Sequence, residues 1–214
     1  MAAEIVFGVV AHPARRAAAQ ALAGRLDAHL SVDDRGRGPV GNHRAVWTEL
    51  AAAGAEWGCV LEDDALLVDG FVEQLPAALA AAPHSTVSLY LGTGRPPGIQ
   101  SRVRAALERA DRADACWVTA DRMLHAVGIC LRTRHIGDML THTGRAPKQA
   151  AADARWDRWL RARRTRVAYA VPSLIDHADG PTLVDHPDRQ PRTEVRRAWR
   201  TGARGQWSRA SVRL

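Results

Sequence analysis

The sequence has few cysteines and no apolar run long enough to cross a bilayer. Cys59, Cys116 and Cys130 are its three cysteines, and their spacing forms no short pairing pattern, so neither a disulfide framework nor a zinc cluster is indicated. A membrane span would need about eighteen consecutive apolar residues, and a secretion signal would need a basic segment before an apolar core. We therefore expect a cytoplasmic protein without stable membrane insertion.

The common motifs of nucleotide-binding proteins and hydrolases are also missing. There is no GxxxxGK(S/T) loop, and Gly92-Thr93-Gly94 lacks the third glycine of a dinucleotide fingerprint. No GxSxG, HExxH or paired CxxC occurs either. An enzyme built from this sequence would therefore depend on its acidic residues.

The positive charge is concentrated at one end of the chain. Residues 189–214 contain eight arginines and one glutamate, a surplus of +7 that equals the net charge of all 214 residues. Trp199 and Trp207 lie among these arginines. The mixture suits phosphate contact with base stacking, or an anionic membrane surface, and a loosely ordered solvated tail is the alternative. We predict a catalytic domain over 1–188 and a basic C-terminal segment over 189–214.

Short apolar runs alternate with helical patterns along residues 1–188. The runs predict strands over 5–10, 31–34, 57–61, 87–91, 126–131 and 167–171. Helical spacing predicts helices over 15–30, 43–53, 68–82, 135–140 and 153–160, and the turn-forming residues predict an exposed loop over 35–42. This alternation predicts an α/β fold.

Three consecutive acids follow the apolar run over 57–61. In an extended strand Glu62 and Asp64 point to one side and Asp63 to the other. Neighbouring carboxylates repel each other and are costly to bury unless a cation neutralises them. Mg²⁺ and Mn²⁺ prefer carboxylate oxygens and often complete their shell with substrate phosphates. The triplet therefore indicates a site for a metal-bound diphosphate, with a solvated acidic turn as the alternative.

Two further groups of residues are candidates for the same site. His177 follows a predicted strand, where α/β proteins usually build their sites, although a lone histidine is often structural. Asp153 and Asp157 lie four residues apart on one face of a predicted helix. They could face a substrate or simply pair with Arg158 and Arg161.

Four pieces of the sequence together resemble the lipooligosaccharide-type glycosyltransferases, a group that includes the procollagen galactosyltransferases. The pieces are Glu62-Asp63-Asp64-Ala65, His125-Ala126-Val127-Gly128-Ile129, Asp157 ahead of Leu160, and Pro172-Ser173-Leu174-Ile175-Asp176-His177. They are similar to that group in order and rough spacing over most of residues 4–184. The resemblance implies a nucleotide-diphospho-sugar transferase fold of the GT-A type, with a mixed, mostly parallel sheet flanked by helices.

The resemblance also implies roles for individual residues. A divalent metal, Mn²⁺ or Mg²⁺, would bridge the donor diphosphate, held by Asp64, Glu62 and His177. Glu62 or Asp63 would contact the ribose or sugar. The nucleotide would settle against His12 and Arg15, which follow the first strand. Arg44 would offset diphosphate charge through paired hydrogen bonds, unless it is an ordinary solvated helix residue.

The implied reaction moves a sugar from a nucleotide-diphospho-sugar to an acceptor hydroxyl. Asp157, with Asp153 as the second choice, would be the general base, and direct displacement would invert the anomeric centre. We expect the basic segment to bind a polyanionic acceptor, and the residues expected to do so are Arg196, Arg197, Trp199 and Arg200.

Two kinds of acceptor are compatible with the sequence. A hydroxymethylated base in DNA would fit a small enzyme with an arginine-rich segment, acting in the host cytoplasm if a phage encodes it. A protein or cell-surface glycan acceptor is the alternative. Two other classes also stay open: a metal-dependent phosphohydrolase or nuclease, and a nucleic-acid-binding protein without activity. The sequence predicts neither the sugar, the nucleotide nor the oligomeric state.

Overall fold

The structure, a computed structural model, describes residues 3–146, 152–180, 183 and 195–214. Strands and helices alternate along most of the chain, with short 3-10 turns at Pro13–Arg15, Pro97–Ile99 and Thr133–His135. In chain order the elements are β1 (Ile5–Ala11), α1 (Arg16–Leu26), β2 (His29–Val32), α2 (Gly38–Ala52), β3 (Trp57–Glu62), β4 (Ala65–Leu67), α3 (Phe71–Ala80), β5 (Thr86–Ser88), α4 (Gln100–Arg112), β6 (Trp117–Ala120), β7 (Gly128–Arg132), α5 (Ile136–Gly144), α6 (Ala152–Ala162), β8 (Val167–Ala170), β9 (Ile175–His177) and β10 (Ser211–Arg213).

Eight of the strands form one mixed, mostly parallel sheet in the order β10-β6-β8-β5-β7-β3-β1-β2. Strands β1, β2, β3, β5 and β8 run in one direction, and β6, β7 and β10 run in the other. A second, two-stranded sheet pairs β4 with β9 in antiparallel fashion. The predicted α/β class, with a mixed sheet flanked by helices, is confirmed.

Helices pack on both faces of the large sheet and bury an apolar layer on each. Helices α1 and α3 cover one face, and α2, α4, α5 and α6 cover the other. Strand β3 shows the alternation that feeds both layers, because Cys59 and Leu61 belong to the first and Val60 to the second. A strand buried on both faces reads as a continuous apolar run, and for that reason β3 was predictable from the sequence.

The first half of the chain departs from prediction at two helix boundaries. Helix α1 ends at Leu26 rather than at residue 30, because Asp27 adopts a left-handed conformation with φ 49° and β2 then begins at His29. The predicted exposed loop over 35–42 is wrong in its second part. Helix α2 begins there at Gly38, with Pro39 in its first turn, where a missing N–H costs no hydrogen bond.

Several elements carry no prediction from the sequence. They are β4, α4, β6, β9 and β10. Helix α4 is polar in composition, yet it buries Val103, Ala106, Leu107 and Ala110 at helical spacing. The helix expected over 68–82 is shorter than predicted, because β4 is followed by Gly70 in a left-handed conformation and α3 starts at Phe71.

The order of the strands creates a switch point beside β1. The chain passes from β1 outward to β2 at the sheet edge, then returns to place β3 on the other side of β1. In open α/β sheets, ligands bind outside the carboxyl ends of the strands at such a point. The carboxyl ends of β1 and β3 are therefore the first place to look for a site.

The described part of the basic C-terminal segment, residues 195–214, packs on the main sheet. Strand β10 pairs with β6, and Trp207 stacks on Trp117 with ring centroids 5.2 Å apart. The predicted boundary at 188 and 189, and the segment up to residue 194, lie outside the described residues. No helix within the described ranges has the length and apolarity that crossing a membrane requires.

Candidate functional site

The predicted acids lie at the carboxyl end of β3, against the turn that follows β1. The backbone N–H of His12 donates to Asp63 Oδ2 at 2.7 Å, and Arg15 donates to Asp63 Oδ1 at 3.0 Å. Arg15 also donates to Asp64 Oδ2. Asp63 is thus occupied in fixing the β1 turn, while the Arg15 guanidinium lies across both aspartates and offsets their charge.

The small sheet brings His177 to Asp64. Strand β4 begins directly after the acids, and its pairing with β9 sets Ala65 opposite His177. His177 Nε2 then lies 3.4 Å from Asp64 Oδ2, and both side chains are less than a tenth exposed. The Ala178 N–H donates to the Asp64 carbonyl at 2.8 Å, which fixes the register. Two residues that are remote in sequence therefore form one buried pair.

His177 faces a backbone carbonyl through Nδ1 and Asp64 through Nε2. Its Nδ1 lies 2.7 Å from the Ala178 carbonyl oxygen, which can only accept, so Nδ1 carries a proton. A protonated ring would also donate from Nε2 to Asp64, and a neutral ring would present a lone pair there. Asp64 Oδ1 is also buried and has no hydrogen-bond partner among the described residues. A proton or a cation held by these atoms would offset the charge of the Asp64 carboxylate.

The third acid has a different partner. Glu62 Oε1 lies 3.3 Å from His43 Nε2, and His43 is buried on α2. Burial raises the pKa of Glu62, but the hydrogen bond and positive charge of His43 together lower it by more. The pKa of Glu62 therefore lies below its usual value. Burial and then the negative charge of Glu62 raise the pKa of Asp64. Glu62 and Asp64 therefore differ in proton affinity. The strand alternation predicted for the triplet is wrong beyond Glu62, because residues 63 and 64 form a turn and both aspartates reach Arg15.

Three further residues of this region have no assigned role from the sequence: His43, Tyr90 and His125. The Tyr90 ring lies edge-on to His125, with centroids 5.0 Å apart, and 6.1 Å from the His177 ring. His125 Nε2 is buried without a partner in the described structure. His125 stands in a piece quoted for the family resemblance, which is the one signal that could have found it. His43 and Tyr90 give no such signal.

The two candidate bases on α6 have different surroundings. Asp157 Oδ1 accepts from the Met123 N–H at 3.0 Å, and Oδ2 accepts from Arg161 at 3.1 Å. Asp153 lies near the first turn of α6, where burial, and also the negative charge of Glu62, raise its pKa. The pKa of Asp153 therefore depends on the charge of Glu62 at the end of β3.

Arg44 lies on α2 and faces another helix. Its Nη1 donates to the Leu140 carbonyl in the middle of α5 at 2.8 Å. The predicted contact with a diphosphate would require Arg44 to leave that position.

The residues predicted to bind the acceptor divide into two pairs. Arg196 donates to the Gly180 carbonyl, and the Arg197 carbonyl accepts from the Thr93 N–H at 2.8 Å, so both lie near the end of β9 and the site. Trp199 Nε1 donates to Gln100 at 2.8 Å under the Arg104 guanidinium. Arg200 forms an ion pair with Asp111 on α4. Trp199 and Arg200 thus hold the segment to α4.

A cavity of about 470 Å³ opens at the carboxyl end of β2, next to the switch point. Its walls include apolar positions of β2 and three arginines. The lining residues are Arg16, Leu30, Ser31, Val32, Asp34, Arg35 and Arg37. Arg16 pairs with Asp34, and Arg37 donates to Ser31 Oγ at 3.0 Å, which orders two of the guanidinium groups.

The acids and histidines of the described residues do not form a complete metal cage. Within the described ranges, no group of three or more histidine, cysteine, aspartate or glutamate side chains could hold a metal ion. Asp64 and His177 form a pair, and Glu62 is engaged by His43. No model of a known protein family matches the chain, and no curated protein matches it either. Family membership is therefore open to experiment.

Proposed function

We propose that the protein is a metal-dependent glycosyltransferase of the GT-A type, which uses a nucleotide-diphospho-sugar as its donor. The observation that supports it is the buried Asp64 and His177 pair at the carboxyl end of β3, beside the switch point. A diphosphate bound through a divalent ion is the ligand class that suits the aspartate and histidine pair, together with Arg15 and the arginine-lined cavity.

The donor would lie along the carboxyl ends of β2, β1 and β3. The nucleoside would enter the cavity at the end of β2, where Leu30 and Val32 offer apolar contact. The diphosphate would follow toward Arg15, whose guanidinium already pairs with Asp63 and Asp64. Arg15 would then exchange an aspartate oxygen for a phosphate oxygen, a paired geometry that suits arginine.

The donor set of Asp64 and His177 fits a divalent ion that takes its remaining ligands from a substrate. Mg²⁺ is commonly held by one or two protein groups with phosphate oxygens and water completing the shell. The unpartnered Asp64 Oδ1 and the lone pair of His177 Nε2 are the atoms that would hold it. When bound, such an ion supplies Lewis-acid stabilisation of the departing diphosphate.

Asp153 is the residue that we propose as general base, ahead of Asp157. The acceptor oxygen attacks the anomeric carbon, its proton passes to the Asp153 carboxylate, and the bond to the diphosphate oxygen breaks with inversion. A raised pKa makes a carboxylate a better proton acceptor near neutral pH. Asp157 has less freedom to do this, because both of its oxygens accept hydrogen bonds in the structure.

A hydroxyl carried by a polyanion, such as a hydroxymethylated base in DNA, is the acceptor class we propose. Arg196 and Arg197 lie on the side of β9 that approaches the site, and Arg197 is exposed. Phosphate contacts from them would hold the acceptor without reading its sequence. A protein or glycan acceptor would bind without this dependence on salt.

The test is thermal melting of the full chain with a panel of nucleotide diphosphates and sugar nucleotides, with and without Mn²⁺. A donor at a hundredfold excess over its Kd should stabilise the folded state by about 2.7 kcal/mol. We expect one sugar nucleotide to raise the Tm only when Mn²⁺ is present. Asp64→Asn, which keeps the shape of the side chain, should lose that shift.

Asp27→Asn serves as the matched control, since Asp27 is an exposed acid at the end of α1, tolerates asparagine in its left-handed conformation, and does not line the donor cavity. It should keep the metal-dependent shift. A Tm that rises with Mn²⁺ alone, together with release of phosphate from a simple phosphate ester, would instead favour the phosphohydrolase. Equal shifts for the wild type and Asp64→Asn would refute the proposed site.

A further inference from the structure

A second cavity lies at the amino ends of the parallel strands, at the opposite end of the sheet from the acids. It has a volume of about 580 Å³ and opens between the amino ends of β5 and β8, the end of β6 and the last turn of α6. Its lining residues are His84, Asp121, Leu160, Arg161, Arg164, Thr165 and Arg166. None of these residues has a part in the proposed transfer reaction.

The charges around this cavity are unbalanced. Asp121 is its only acidic lining residue, and its two oxygens already accept from Arg166 at 2.8 Å and Arg213 at 2.7 Å. Asp121 therefore orders two guanidinium groups at the rim without neutralising them both. The pKa of His84 is lowered by burial and then by the positive charges of Arg166 and Arg209, which indicates a positive local potential.

Two arginines of the cavity wall are available to a ligand. The Arg161 side chain is 61% exposed, and among the residues that the structure describes its ion pair is the i,i+4 pair with Asp157. Arg164 has no ion pair with any residue that the structure describes. It also occupies the position after α6 with φ 50°, a left-handed conformation in which glycine is favoured.

The surroundings favour a polyphosphate over a membrane. The arginines continue beyond the cavity to Arg209 and Arg213, which is more positive charge than one phosphate needs. Binding at a membrane interface would also need large apolar side chains beside the cations. The exposed large apolar residues of the described chain are Leu66, Val72 and Val195, and none of them lines this cavity.

We propose that this cavity, with Arg209 and Arg213 at its rim, binds the phosphodiester backbone of a nucleic acid. Arg161, Arg164 and Arg166 would contact consecutive phosphates, and Thr165 would donate to one of them. Because such contacts do not read bases, binding would be independent of sequence and sensitive to salt. The inference does not depend on the glycosyl transfer proposed above, since this cavity lies at the other end of the strands from the proposed donor site.

The experiment measures fluorescence anisotropy of a labelled random-sequence duplex with the full chain, over a series of NaCl concentrations. The informative variant is Arg164→Gly, because glycine suits the left-handed backbone and should leave the Tm unchanged or higher. We expect it to bind more weakly and to lower the slope of log K against log salt by about 0.9, the value for one lost phosphate contact. Adding Arg161→Gln should lower the slope by about the same amount again.

Arg25→Gln is the control for net charge, since Arg25 is an exposed arginine near the end of α1 and far from the cavity. It should retain the wild-type affinity and slope. The inference fails if Arg164→Gly binds as the wild type does, or if Arg25→Gln loses as much affinity. It also fails if inorganic phosphate or anionic lipid vesicles bind at this cavity while the duplex does not.

Discussion

His125 is a half-buried histidine with an enclosed Nε2, and its protonation is coupled to stability. Burial, and then the positive charge of His177, lower its pKa to about 4, whereas an unfolded chain would have the ordinary value of 6.5. Between these values the unfolded state binds the proton and the folded state does not. The contribution of His125 to stability is therefore complete above pH 6.5 and is lost as the pH falls toward 4.

We predict that this coupling costs the wild type about 2 kcal/mol of unfolding free energy between pH 7.5 and pH 5. His125→Gln removes the titrating group, so the variant should lose less stability over the same interval. Urea denaturation at the two pH values, in the presence of a chelator, measures the difference. His29→Gln, at an exposed position on β2, should behave as the wild type. Equal losses in the wild type and His125→Gln would show that His125 does not titrate in this range.

Gly8 on β1 is required by a close approach between strand and helix. A Cβ atom at this position would lie 2.2 Å from Val46 Cγ1, and Val46 is buried on α2 with a restricted side chain. We predict that Gly8→Ala destabilises the protein by about 1–3 kcal/mol through overpacking. Chemical denaturation of the variant checks this value.

Gly24 is the matched control for that substitution. It lies within α1, is exposed, and would place a new Cβ in open space. Gly24→Ala should stabilise the protein by up to about 1 kcal/mol, because alanine is the better helix former. A loss of stability in both variants would mean that the alanine, rather than the contact with Val46, is responsible.

Single residues of the site were predictable where their chemistry was unusual for their position. Three acids after a buried strand, and a histidine after another strand, can be noticed in the sequence alone. His43 and Tyr90 do not, because a histidine on a helix and a tyrosine in a strand also occur as ordinary core residues. Their relation to Glu62 and His177 arises from the packing of α2 and of the segment that follows β5, which spacing alone does not encode.

At the scale of elements, most of the predicted strands lie within longer apolar runs of the sequence, and the short strands β4 and β9 were not predicted. The run at β3 is apolar over most of its length, so its type is evident. Strands β4 and β9 have three residues each, which is too few to show a period of two. They place His177 against Asp64, so the sequence could name both members of the pair without predicting the sheet that joins them.

Helix α6 allows the two candidate bases to be compared on one element. We predict that Asp153→Asn lowers kcat by about a hundredfold to ten-thousandfold, the usual contribution of a general base, with little change in Tm. Asp157→Ala should instead leave the buried Met123 N–H without its acceptor and cost about 1–3 kcal/mol of stability. Steady-state kinetics and denaturation of both variants separate the two roles. A reversed pattern would restore Asp157 as the base.

Across the whole molecule, the described part of the C-terminal segment is a structural part of the fold. Trp117 Nε1 donates to the Ser208 carbonyl at 2.8 Å, and the Leu214 N–H donates to the Thr119 carbonyl at 2.9 Å. The charge pattern of residues 189–214 predicted a binding segment and could not reveal this pairing with β6, because strand partners distant in sequence leave no local signal.

Deletion of residues 207–214 should therefore destabilise the protein. The truncated chain would expose Trp117 and lose both β10 and the tryptophan stack, so we predict a loss of about 3 kcal/mol or more. Urea denaturation measures it, with Val195→Thr as a control at an exposed position of the same segment. A truncated chain that melts with the wild type would show that β10 adds nothing to the stability of the sheet.

The small sheet also determines when, during folding, the protein acquires its site. Everything from α3 to β8 lies between β4 and β9 in the chain, so the two strands can meet only after a long loop has closed. A partly folded chain would hold the acids without their histidine, so the metal and donor site that we propose would be incomplete in it. In a refolding experiment, the ability to bind Mn²⁺ should therefore appear later than the helical circular dichroism signal, because the pairing of β4 with β9 completes the proposed site.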